Sequence, residues 1–149
     1  MSEEKSGFIV KFYDKAYEDK NILELLEAPV VAISGVSESD AADLKEAFNI
    51  NTVEDLASNE YVLIAQGIEL FSDVSCAVLD KEFESKEFTE LADKPAYAIA
   101  GISESEAALL KKAFGIDTIR ELAENKYVLV AQATVTLAEL VMLLIDEIF

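Results

Sequence analysis

Apolar positions recur at helical spacing along nearly the whole chain. Ala41, Leu44, Ala47 and Phe48 fall at i, i+3, i+6 and i+7, the spacing that puts side chains on one face of an α-helix. Ala107, Leu110, Ala113 and Phe114 repeat the stripe. A longer stripe, Tyr61, Ile64, Ile68, Phe71, Val74 (or Ser75), Val78 and Phe83, predicts a long helix from about Asn59 to Phe83. A second long helix is expected from about Asn125 to the C-terminus. No stretch of useful length alternates with period two, so the expected class is all-α.

Residues 29–66 and 95–132 align without a gap, 66 positions apart, and more than half of the aligned residues are identical. A repeat this regular sets the architecture before any single residue does. Asp14-Lys15-Ala16-Tyr17 matches Asp80-Lys81-Glu82-Phe83, and Asp146-Glu147-Ile148-Phe149 falls on the same positions again. The element reads as the end of a long helix, so Phe8–Asp19 is expected to be the back half of such a helix with its front half missing. The expected organisation is a disordered tail over 1–7, a first repeat over 8–79 and a second over 80–149.

Local punctuation supports this division. Asn21 is placed to cap a short helix ending near Glu27, and Pro29 suits the first turn of another over Val30–Ser34. Gly35 marks the turn that follows. Ser37-Glu38-Ser39-Asp40 and Ser103-Glu104-Ser105-Glu106 are capping boxes. Asn49 and Gly115 suit left-handed helix ends. Thr52 and Thr118 open further short helices, and Asn59 and Asn125 cap the long ones. Gln66 and Gln132, polar within apolar runs, are expected to bond a free carbonyl at a neighbouring helix end, and Tyr61 and Tyr127 to be core residues with the hydroxyl at the edge.

The motif Gly35-Val36-Ser37 with Ala41 and Leu44, followed by Ile50, Thr52, Val53 and Leu56, resembles the helix-hairpin-helix superfamily. Gly101-Ile102-Ser103, Ala107, Leu110, Ile116, Thr118, Ile119 and Leu122 repeat it. The resemblance implies two tandem helix-hairpin-helix repeats with long connecting and C-terminal helices. In DNA-binding members a second glycine stands where this chain has Ser37 and Ser103, with Lys or Arg nearby to hold a phosphate. Here Glu38 and Glu104 follow and would repel one. In character the chain is similar to the acidic repeats of the transcription elongation factor NusA, which bind protein, and to the C-terminal domain of the RNA polymerase α subunit.

Charge sharpens the functional expectation. Twelve Lys and Arg stand against thirty Asp and Glu, for a net charge of −18. That field repels phosphate backbones and anionic membranes and attracts basic proteins. There is no His, which removes the commonest general base and metal ligand. No nucleophile constellation, phosphate-cradling Gly-rich loop or calcium-loop pattern is visible, so neither an enzyme nor a cofactor or metal site is expected. Cys76 aligns with Val10 and Met142 and reads as a packing residue. A lone cysteine and an acidic, polar N-terminus fit a cytoplasmic protein, and the prokaryotic cytoplasm is the expected setting.

The expected partner is therefore a protein with a basic surface. It would be met by the hairpin tips Gly35, Ser37, Glu38, Ser39 and Gly101, Ser103, Glu104, Ser105. The alternative, nucleic-acid binding through the paired hairpins, would need Lys111, Lys112, Arg120 and Lys126 to form a basic patch. The tail carries Leu137, Leu140, Val141, Leu143, Leu144, Ile145, Ile148 and Phe149, apolar nearly all round. It is interrupted by Gln132, Thr134, Thr136 and Glu139, and is expected to fall short of a membrane span. It is expected to take the place against repeat two that the first long helix takes against repeat one, or to form a homodimer surface if left uncovered.

Overall fold

The computed structural model describes residues 7–78 and 86–148, with side chains over 9–73 and 87–147. The expected tail lies outside the described residues except for Gly7, as do the far end of the first long helix and the Cys76 side chain. Eight α-helices are described: α1 (Ile22–Glu27), α2 (Glu38–Phe48), α3 (Val53–Ala57), α4 (Glu60–Val78), α5 (Lys86–Ala92), α6 (Glu104–Phe114), α7 (Ile119–Glu124) and α8 (Lys126–Ile148). Short 3-10 turns occupy Gly7–Phe12, Lys15–Tyr17, Val30–Ala32 and Ala96–Ala98. Strands are absent among the described residues, where only isolated bridges such as Pro29 to Thr52 and Pro95 to Thr118 occur. The protein is all-α.

Local chemistry explains where the helices begin and end. Asn21, Ser37, Thr52, Ser103 and Thr118 each accept the N3 amide of the helix they precede, and each N3 acid reaches back to the cap amide. Each such cap is worth about 1 kcal/mol. Asn59 and Asn125 cap α4 and α8 through their side-chain oxygens. Asn49 and Gly115 end α2 and α6 in the left-handed region, with φ of 58° and 69°. Pro29 precedes the 30–32 turn rather than starting an α-helix, and the backbone returns to an extended conformation at Ile33.

Unit one (α1 to α3) and unit two (α5 to α7) share one continuous apolar core, including Leu25, Leu44 and Leu56 from the first and Leu110, Ile119 and Leu122 from the second. The long helices cross between them. Helix α4 leaves unit one and packs against α5 and α7 of unit two, while α8 leaves unit two and packs against α1 and α3 of unit one. This reverses the expected placement of the tail. A turn of only Ser58 and Asn59 separates α3 from α4, and α4 runs away from its own unit.

The N-terminal segment also departs from expectation. Its residues form 3-10 turns rather than half of a long helix. Its backbone pairs with unit one instead: the Asp14 amide donates to the Ala32 carbonyl at 2.9 Å, and the Ser34 amide to the Phe12 carbonyl at 2.8 Å. Tyr13 then reaches α8. The Thr134 hydroxyl donates to the Val130 carbonyl at 2.9 Å, so its oxygen accepts the Tyr13 hydroxyl at 2.6 Å.

Candidate interaction site

The crossing is fastened by two residues that recur in both repeats. Tyr61 packs on Phe48 with ring centroids 4.8 Å apart, and its hydroxyl donates to the Gly101 carbonyl at 3.4 Å. Tyr127 does the same with Phe114, at 4.7 Å, and with the Gly35 carbonyl, at 3.3 Å. Both glycines have φ of 100°, and a Cβ on either would lie 2.7 Å from the tyrosine hydroxyl. Glycine is therefore required twice over, by conformation and by space. Gln66 and Gln132 donate to each other at 2.8 Å in both directions. The same amides reach the Ala123 and Ala57 carbonyls, at 3.2 and 3.1 Å. The expected carbonyl bonds are present, and the reciprocal amide pair is an addition to them.

These contacts fix the relation of the two predicted tips. Tyr61 bridges the last residue of α2 to the turn before α6, and Tyr127 bridges the last residue of α6 to the turn before α2. Helices α2 and α6, which pack together, therefore run antiparallel. Ser37-Glu38-Ser39 and Ser103-Glu104-Ser105 stand at opposite ends of that pair, separated by about 16 Å of helix. Ser37 and Ser103 are spent on the N3 amides and on Ser39 and Ser105, each pair of hydroxyl oxygens lying 3.0 Å apart. Glu38 and Glu104 remain exposed.

The four candidate cations are dispersed and each has a partner. Lys111 pairs with Asp117 at 3.0 Å. Lys112 lies 3.6 Å from Asp43, a carboxylate only 7% exposed whose second oxygen has no hydrogen-bond partner. Lys126 sits 5.0 Å over the Tyr127 ring. Arg120 faces Asp93 at 3.3 Å, Asp73 at 3.6 Å and Glu69 at 3.8 Å, tying α7 to α4 and to the end of α5. The Asp93 bond is the chief reason its guanidinium is held above its ordinary pKa. Glu69 is pushed up, first by burial and then by its neighbour Glu124, despite Arg120.

A groove of about 320 Å³ opens between the 96–98 turn, α6 and the loop into α7. Its rim carries Asp93, Glu104 and Asp117 against Lys111, and its wall carries Tyr97, 47% exposed. Glu104 thus joins a site whose other acids and aromatic were not singled out from sequence. The available signal was Tyr97, an aromatic residue where the first repeat has Val31.

The tail is the third surface. Helix α8 is long and apolar enough to cross a membrane by length and composition, with a mean hydropathy of 2.2 over its best window. The expected shortfall does not hold, because Gln132, Thr134, Thr136 and Glu139 are too few to lower that average. Val128, Ala131, Thr134 and Ala138 are buried in the fold, whereas Leu140 and residues 142–147 are exposed. No metal-ligating cluster occurs among the described residues. Compared with protein families, curated proteins and solved structures, the chain matches none.

Proposed function

We propose that this chain is a non-enzymatic, acidic protein-interaction module built from two helix-hairpin-helix repeats, and that unit two takes a Lys- or Arg-bearing segment of a basic protein partner. The observation that carries this reading is the groove beside the second hairpin tip. Of its three carboxylates, Asp117 pairs with Lys111 and Asp93 with Arg120, which leaves Glu104 on the rim for a cation of the partner. Tyr97 offers an exposed ring face, which attracts a guanidinium or ammonium group as well as apolar side-chain stems. The net charge of −18 steers basic partners toward such a site and speeds encounter at low salt. A role as an adaptor in a transcription or other nucleoprotein complex fits this chemistry and the resemblance to acidic elongation-factor repeats. The nucleic-acid alternative draws less support, since Lys111, Lys112 and Arg120 face carboxylates and Lys126 lies on an aromatic ring.

The test is a fluorescence-anisotropy titration of a labelled Arg-rich peptide, of about ten residues, with the full chain. Saturable binding that weakens steeply with salt is expected, together with a loss of roughly tenfold in Tyr97→Ala and in Glu104→Gln. Equal binding by both variants would remove the groove from the proposal. Tighter binding of an oligonucleotide than of the peptide would replace it with the alternative.

A further inference from the structure

The outer half of α8 continues a spacing that begins at Val130, which packs on the core, and runs out into solvent. Val130, Ala133, Leu137, Leu140 and Leu144 follow one another at intervals of three, four, three and four residues, the 3.5-residue period of a coiled-coil seam. The seam runs outward beside the buried face formed by Val128, Ala131, Thr134 and Ala138. Its exposure grows along the helix, from 39% at Leu137 to 59% at Leu144. Leu143 flanks the seam and is 60% exposed, whereas Met142 stands on the far side of the helix. Leu137, Leu140, Leu143 and Leu144 together present roughly 400 Å² of apolar surface, within the range of the largest patch that a monomer normally leaves in water. This is roughly half of what each partner contributes to a standard interface.

We infer that the seam of α8 is covered by the same seam of a second copy, in an antiparallel pair. The 3.5-residue period asks for another helix of like spacing, and a second copy supplies it with two-fold closure. An antiparallel pairing can set Leu140 against the partner's Leu137, and Ala133 against the partner's Leu144. It also keeps the acidic ends, Asp146 and Glu147, of the two copies apart. A lipid bilayer fits less well. Even counted from Leu137 to Glu147, where Ala138 is still buried and Val141 packs on the core, the outer part of the helix is about 16 Å long against a hydrocarbon core of about 30 Å. The charges on this part are Glu139, Asp146 and Glu147, whereas helices that lie in a membrane surface carry Lys and Arg. A basic partner would likewise find few groups to pair with along the seam.

The experiment is sedimentation equilibrium of the full chain over roughly 1–100 µM, beside Leu140→Glu/Leu144→Glu and the milder Leu140→Ser/Leu144→Ser. The wild type is expected at twice the chain mass of 16.3 kDa. Both variants are expected at the single-chain mass, with a dimer dissociation constant raised at least about 100-fold by the glutamates. Their circular dichroism should be unchanged, because neither residue belongs to the core. The inference is overturned if the wild type stays at the single-chain mass throughout, if the glutamate variant still pairs, or if the chain forms an open series of larger species. It is also overturned if a monomeric chain floats with neutral phosphatidylcholine vesicles.

Discussion

Over their first two turns α4 and α8 do the same work. Tyr61 and Tyr127 reach the opposite unit's glycine, Val62 and Val128 enter the core, and Gln66 and Gln132 bond each other. Beyond that point they part. On α4, Glu69 and Asp73 meet Arg120 of unit two. On α8 the matching positions are Val135 and Glu139, and unit one offers Glu54 where unit two has Arg120. Helix α8 is held there instead by Thr134 and the N-terminal Tyr13. The repeated half of each helix builds the crossing, and the unrepeated half decides what else the helix does: α4 is tied to unit two through Asp73 and Arg120, while α8 presents an apolar seam.

Substitution of the glycines should test the shared half most severely. Gly35→Ala and Gly101→Ala should each cost about 2–3 kcal/mol in chemical denaturation, from the positive φ and the displaced tyrosine together. Adding Tyr127→Phe should recover part of the loss in Gly35→Ala and none in Gly101→Ala, with Tyr61→Phe giving the converse. Rescue by the tyrosine of the same unit would mean that the long helices do not cross. A smaller effect is expected at the amide pair. Gln66→Leu or Gln132→Leu alone should cost about 1–3 kcal/mol by leaving the other amide and a carbonyl short of partners. The double variant should cost less than the sum, and strict additivity would show that the two amides do not couple.

The crossing was hidden in the sequence for a reason that the glutamines make plain. Gln66 could bond Ala57 of its own unit or Ala123 of the other, and those alanines occupy equivalent positions in the two repeats. A repeat makes both arrangements equal in local pattern, so the pattern alone does not separate them. The caps were legible because each depends on residues within three or four positions. Ser37 with Asp40 and Thr118 with Glu121 need no knowledge of the rest of the chain. Arg120 was legible as a cation but not as a latch, since its three carboxylates come from distant positions 69, 73 and 93. Glu38 and Glu104, at the first position of α2 and of α6, look alike in sequence, and among the described residues it is Glu104 that lies beside a groove with an exposed aromatic ring.

The unshared half yields the smallest and most specific prediction. Glu69 binds its proton more tightly in the folded chain than in the unfolded one, because of burial and Glu124. Its charge therefore opposes folding as pH rises through the raised pKa, and the penalty disappears on acidification. Glu69→Gln should stabilise the protein at neutral pH by roughly 0.5 kcal/mol. The gain should vanish below about pH 4, where an unfolded glutamate is itself mostly protonated. Val135→Gln, at the matching position on α8, should show no such pH dependence. A gain that persisted into acid would place its origin in packing rather than in charge.

The crossing also sets an order of events during synthesis. Gly35 and Tyr127 are 92 residues apart, and Ala57 and Gln132 are 75 apart. At about 5–20 residues per second, unit one waits roughly 4 to 18 seconds for the helix that covers α1 and α3. Over that interval its apolar side faces the cell, while unit two meets α4, which is already made when its own helices emerge. The two repeats, nearly alike in sequence, thus have unlike histories: the first-made unit is the last to be closed, and it is the one exposed to mispairing with neighbouring nascent chains.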